Sequence, residues 1–244
     1  MSAPLSFVGP IPVRTHAPVG PSRGAVILMH GLRVSGEAHA REARWLAEGG
    51  MTVVCPDAPH HGARRSPVLD AMPDALTLPG HRVLLRILRE ARDELPALVD
   101  HLLAAGHRRV AIAGISMGAF VALAAAAVTP RACAIASVLG TPDWTPRDGV
   151  VPDDLSDAVR ESPHLHPEAF PPRPLLLLNG GRDDNVRPAA ARALAERLRP
   201  LYAASGGGPF LHREYPDADH FPSDADWRDM WTTAVAFLQD ALAG

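Results

Sequence analysis

The sequence predicts an α/β fold: a mostly parallel central sheet with helices on both faces and a small cap. Short, continuously apolar runs alternate with longer stretches of helical periodicity, the pattern of parallel strands covered on both faces. The residues able to do chemistry stand just after those runs, at the strand ends where open α/β sheets bind ligands. The chain has 244 residues, 47% hydrophobic and 21% charged, which suits a single domain. A chain that long buries roughly 70–75% of its extended surface and needs no disulfide or metal to hold a core.

The first strong strand is residues 25–29 (AVILM), and residues 37–48 read as a helix. Residues 52–55 (TVVC) form a second strand, stopped by Pro56. Between 82 and 105 the residues Leu84, Leu88, Ala91, Leu95, Leu98 and Leu102 recur at helical spacing, with a kink or restart expected at Pro96. Strands follow at 110–113, 133–139, 174–178 and 211–215, with helices at about 117–128 and from near Pro188. Ser223 is placed to cap a closing helix whose apolar face carries Trp227, Met230, Trp231, Ala234, Leu238 and Ala241. One segment breaks the rhythm. Residues 145–173 are rich in proline and acid and too long for a plain loop, so they are expected to form the cap over the sheet's carboxyl edge.

Composition removes several function classes. All 24 basic residues are arginine, which excludes a Schiff-base lysine and a P-loop lysine. A net charge of −3 with no basic stripe argues against nucleic acid. Cys55 and Cys133 cannot make a four-ligand zinc site and are expected as reduced core residues. The first 24 residues lack a charged start followed by an apolar block, and no apolar stretch approaches the ~20 residues that span a bilayer. The expectation is a cytoplasmic protein with no cofactor, no metal, no membrane and no nucleic-acid partner. The triple glycine at 206–208 is read as a flexible link.

Gly114-Ile115-Ser116-Met117-Gly118 follows an apolar strand and opens an alanine-rich helix. A nucleophile on so tight a strand-to-helix elbow needs small neighbours on both sides. Serine at neutral pH also needs a base oriented by a third group. Asp183, after the fifth strand, and His220, after the last, supply an acid and a base in the order this elbow requires. Asp184 and Asp143 remain alternatives for the acid. His212 lies on the wrong side of the sheet for the base. At His30-Gly31 the chain can turn the Leu32 N–H into the site beside that of Met117, which makes two donors for an oxyanion. His30 is expected to support that loop. The pair His60-His61 reads as part of a shaped turn rather than a metal site.

With these motifs in place the sequence resembles the α/β-hydrolase superfamily over nearly its whole length. The marks are LMHG at 28–31, PDAPHHGAR at 56–64, GISMG at 114–118, GGRDDNV at 180–186 and DADHF at 217–221. It is most similar to compact bacterial serine esterases of the dienelactone-hydrolase and prolyl-oligopeptidase-like branch. The resemblance implies Ser116 as nucleophile, Asp183 as acid, His220 as base, and Leu32 and Met117 as oxyanion donors. Dienelactone hydrolases carry cysteine at the elbow, so Ser116 speaks against that particular lactone chemistry.

The expected function is hydrolysis of carboxylic esters or thioesters of small soluble substrates through an acyl-enzyme. A catalytically silent binding protein on the same fold and a small serine peptidase are the alternatives. Trp144, Phe170 and Phe221 are expected to wall a small apolar pocket, with Arg33 available to an acidic substrate group. A short cap without an exposed apolar lid points to short acyl groups and no activation at lipid surfaces.

Overall fold

A computed structural model describes residues 3–206 and 208–243; Gly207, the middle of the triple glycine, lies outside them. Eight strands form one sheet in the order β1-β2-β4-β3-β5-β6-β7-β8. The six strands β3 (Ala25–Met29), β4 (Thr52–Pro56), β5 (Val110–Ile115), β6 (Ala134–Val138), β7 (Leu175–Gly180) and β8 (Phe210–Tyr215) run parallel. Their carboxyl ends therefore gather along one edge. Side chains alternate across the strands. Ala25, Ile27 and Met29 of β3 face one core, and Val26 and Leu28 face the other.

Helix α3 (Leu78–Ala104) and helix α4 (Met117–Val128) pack on the first face. Helix α1 (Ala40–Glu48) and helix α7 (Asp224–Ala243) cover the second. Helix α6 (Ala189–Ser205) closes the first core near β8. Ser223 caps α7 as its sequence suggests, its Oγ accepting the Asp226 N–H at 3.1 Å.

Four features differ from the sequence reading. The strands β1 (Leu5–Val8) and β2 (Ile11–His16) form an antiparallel hairpin on the β4 edge, within a stretch whose prolines hide its strand character. A short helix, α2 (Pro67–Asp70), also stands in the segment after β4. Helix α3 begins at Leu78, with the Thr77 Oγ1 accepting from the Gly80 N–H at 3.4 Å, and it continues through Pro96 without a restart. Leu95, Leu98 and Val99 are all buried there, so core packing outweighs the one backbone hydrogen bond that proline removes. Cys133 is half-buried and sits one residue before β6 rather than inside it.

The segment expected as a cap starts at the sheet's carboxyl edge, where Thr145, Pro146, Arg147 and Gly149 border the cavity over Ser116. After Gly149 it turns aside and runs along the outer face of α3 through helix α5 (Ser156–Arg160). Arg82 pairs with Asp154 at 2.8 Å, and Arg89 and Arg92 both pair with Glu161. Leu155, Ala158 and Phe170 join the first core beneath those pairs.

Candidate active site

Strand β5 ends at Ile115, and the chain reverses into α4 through Ser116 at φ +54° and ψ −119°. Such a backbone conformation is strained for any residue with a Cβ and persists only where the surroundings enforce it. Two glycines do so here. A Cβ on Gly114 would stand 2.0 Å from the Gly118 carbonyl oxygen, and one on Gly118 would stand 2.2 Å from the Met29 carbonyl oxygen. The elbow is thus wedged between its own helix and the end of β3.

The Ser116 Oγ is 2.9 Å from His220 Nε2, across 104 residues of sequence. His220 Nδ1 is 2.7 Å from Asp183 Oδ2. Asp183 is buried, and its other oxygen accepts the backbone N–H groups of Asn185 at 2.9 Å and Val186 at 2.7 Å. Those bonds fix the carboxylate's orientation, so the imidazole must donate from Nδ1 and present Nε2 to the serine. Asp184 is exposed, and its carbonyl accepts from Arg147. Asp143 lies elsewhere in the site, bonded to the Thr145 N–H and 3.6 Å from His164.

Leu32 and Met117 each present a backbone N–H with no hydrogen-bond partner among the described residues. The loop bearing Leu32 is braced by imidazoles. His30 donates from Nδ1 to the Gly31 carbonyl at 2.7 Å and accepts the Ala58 N–H on Nε2 at 2.9 Å. Burial pushes its pKa down to about 4, so it stays neutral and keeps that lone pair. His60 turns outward to Ser66 and Glu90, and His61 turns inward to Pro59 and Arg33, so the two rings diverge.

Above the serine opens a cavity of about 1010 Å³, at the upper end of small-molecule sites. Leu32, Met117, Phe120, Leu84 and Val186 supply apolar lining beside Ser116 and His220. Two neighbouring loops, Asp74 to Leu76 and Thr145 to Arg147, complete its lining. Phe221, 80% exposed, stands at its border and packs edge-on against His220 with ring centroids 5.4 Å apart.

Three of the expected lining residues are elsewhere. Trp144 and Phe170 are each 1% exposed and belong to the first core. The indole of Trp144 turns inward, and the backbone N–H of Trp144 donates to Ser162 Oγ at 3.1 Å. The Arg33 guanidinium donates to the carbonyls of Met72 and Pro73 and pins the loop ahead of α3. Their sequence positions beside the site say nothing of side-chain direction. The pocket is accordingly larger than the one expected, and its walls include residues the sequence reading did not single out. Phe120 had a signal, since it stands four residues after Ser116 on the same helical face. His81, whose Nε2 donates to the Trp144 carbonyl at 2.8 Å, and Trp227 had none as site residues.

Trp227 belongs to a second polar cluster at the cavity's edge. Its Nε1 donates to Glu42 Oε1 at 2.8 Å, joining α7 to α1 across 185 residues. Burial alone would raise the Glu42 pKa, but hydrogen bonds from His39, Trp227 and Arg41 outweigh it and bring it down to about 2.

Residues 20–173 match the family model Hydrolase_4, serine aminopeptidase, S33. That stretch includes Ser116 and ends before Asp183 and His220. Over 236 residues the chain is 30% identical to Esterase YjfP of Escherichia coli (strain K12), covering 85% of this chain and 91% of that protein. It superposes on TT1662 from Thermus thermophilus over the full length of both chains, with a TM-score of 0.81 and 26% identity. A cold-adapted esterase from an Arctic intertidal metagenomic library gives a TM-score of 0.68 at 21% identity, over 95% of this chain and 88% of that one.

Proposed function

The chain belongs to the Hydrolase_4 (serine aminopeptidase, S33) family of α/β hydrolases, and from that premise we propose that it hydrolyses carboxylic esters or thioesters through an acyl-enzyme on Ser116. The observation that carries this reading is the unbroken hydrogen-bonded line from Ser116 Oγ through His220 to buried Asp183.

In the proposed reaction the Ser116 Oγ attacks the substrate carbonyl carbon as its proton passes to His220 Nε2. Asp183 holds the imidazole in the Nδ1–H tautomer and stabilises the imidazolium that forms. The carbonyl oxygen becomes an oxyanion that accepts from the Leu32 and Met117 N–H groups, a pair of donors typically worth ~10²–10³ in rate apiece. His220 then gives its proton to the leaving alkoxide or thiolate. Water, deprotonated by His220, attacks the acyl-enzyme, and the acid leaves as Ser116 regains its proton. The cavity of about 1010 Å³ has room for substrates well beyond a short acyl ester.

A fluorophosphonate probe tests this directly. It should label Ser116 in the folded protein and fail on Ser116→Ala. Labelling that persists in that variant, or none in the wild type, would favour a silent binding protein. The family model carries an aminopeptidase description, so a peptide anilide run beside an acyl-ester panel separates the two hydrolase readings. Turnover of the esters with no release from the anilide is the expected result.

A further inference from the structure

Three consecutive backbone N–H groups stand at the turn after β3, and the structure disposes of them unequally. The Gly31 N–H points to His39 Nε2 at 3.4 Å. The Arg33 N–H donates to His61 Nε2 at 3.1 Å. Leu32, between them, has no partner among the described residues. His61 comes from the loop after β4, yet it accepts from the loop after β3. His30 does the reverse, rising from the β3 end to accept the Ala58 N–H after β4 at 2.9 Å.

Each ring is held in the tautomer this requires. His30 donates its Nδ1–H to Gly31, and His61 donates its Nδ1–H to Pro59, both at 2.7 Å. A neutral imidazole has one lone pair, and these donations leave it on Nε2. The two rings lie 5.1 Å apart and both are buried. Asp57 ties the same loops a second time, accepting from Gly36 at 2.9 Å and from Ala63 at 2.8 Å.

We infer that His30 and His61 form a reciprocal clasp between the two loops, and that His61 is a positioning residue that leaves the Leu32 N–H as the loop's donor to the reacting oxygen. The inference rests on the hydrolase reading above and adds a residue that the triad does not contain. Without an acceptor at Nε2, the Arg33 N–H would lose its one partner among the described residues, and the peptide before it would rotate toward another. Leu32 turns with it. Displacement of a donor by about 1 Å is enough to cost ~10²-fold in rate.

The decisive comparison is His61→Gln against His61→Met, side chains of nearly equal length of which only glutamine carries an acceptor. With an ester substrate, His61→Met should lower kcat by ~10- to 100-fold with KM within about threefold, because an oxyanion donor acts on the transition state. Binding of a trifluoromethyl ketone, whose adduct carries an oxyanion, should weaken in parallel. His61→Gln should keep kcat within about threefold of wild type. Equal losses in the two variants, or a rise in KM at unchanged kcat, would overturn the clasp. Should His61→Met fail to fold, the wild type still decides. Nitrogen-15 spectra of labelled histidine should show His61 Nδ1 protonated and Nε2 bare at pH 7, and the opposite tautomer would refute the inference. A wild type that neither labels at Ser116 nor turns over esters would instead refute the hydrolase reading, leaving the nitrogen spectrum to judge the clasp.

Discussion

The floor of the site and its walls are built by different means. The floor consists of strand ends: the elbow after β5, the Asp183 turn after β7 and the His220 loop after β8. Each piece is a short turn shaped by its own residues, as Gly114 and Gly118 shape the elbow and the Asn185 and Val186 N–H groups hold Asp183, and it is seated against the next strand end, as Gly118 is against Met29. The walls come from Phe120, Leu84 and two loops that meet only because α3 and the segment after β6 pack together. Chemistry is set by the turns at the strand ends and substrate choice by the packing of α3 and the segment after β6, so mutation should change rate in one and selectivity in the other.

The largest expected effect falls on the floor. Ser116→Ala should lower kcat by about 10⁶, and His220→Ala by a similar amount with no further loss in the double variant, since the residues act as a unit. Asp183→Asn should cost up to ~10⁴ by presenting the wrong imidazole tautomer, whereas Asp143→Asn should cost less than ~10-fold because Asp143 faces His164 rather than His220. A crippled Asp143→Asn enzyme would break the division between floor and wall.

Trp144 offers a contrast between position and role. Trp144→Ala should destabilise the fold by about 3–5 kcal/mol in urea unfolding, as expected for a buried indole. The relative kcat/KM values along an ester series should stay unchanged, and a shift in chain-length preference would return Trp144 to the wall.

Acid should loosen the loop after β3, beside the floor, through His30. Its folded pKa of about 4 lies below the value of 6.5 it has when exposed, so between those values the unfolded chain binds a proton that the native state does not. Stability from this group is therefore complete above pH 6.5 and is lost as the pH falls toward 4, on the order of 3 kcal/mol in all. His61, lowered by burial in the same way, adds to the loss. Urea unfolding from pH 7 to 4 reads it, and His30→Gln should flatten that slope.

The smallest effect belongs to the wall. Phe120→Ala should leave kcat within about threefold on a short ester and move the optimum toward longer acyl chains. Each added methylene that finds contact is worth about 0.8 kcal/mol, or ~4-fold in kcat/KM.

The same contrast explains what the sequence discloses. Ser116, Asp183 and His220 could be read from motifs because each sits in a turn whose local chemistry is visible: flanking glycines, an acid after an apolar run, a histidine ahead of a helix. The parallel strands were legible because burial on both faces leaves an uninterrupted apolar run. The hairpin β1–β2 was not, because β1 is an edge strand with Leu5 and Phe7 exposed, and prolines stand between the two strands and within β2. Trp144, Phe170 and Arg33 misled because adjacency in sequence to a strand end fixes where the backbone goes and not which way a side chain turns. The clasp of His30 and His61 lay in plain view as two histidine-bearing turns, but its reciprocity depends on β3 and β4 being neighbours.

One feature of the sheet bears on how the molecule is made. The face carrying Val26, Leu28, Ala111, Ala113, Leu176 and Leu178 is covered by α1 and α7, and α7 is the last element of the fold. During synthesis, six parallel strands and α1 can exist before α7 emerges, leaving much of an apolar sheet face exposed to water. That interval is an aggregation hazard, heightened because β3 must wait some eighty residues for β5 to complete its pairing. The Glu42–Trp227 bond and the bond from Gln239 to the Gly49 carbonyl are the fastenings that end it. A nascent chain lacking α7 should be a strong client for chaperones that bind exposed apolar surface, and docking of that helix should mark its release.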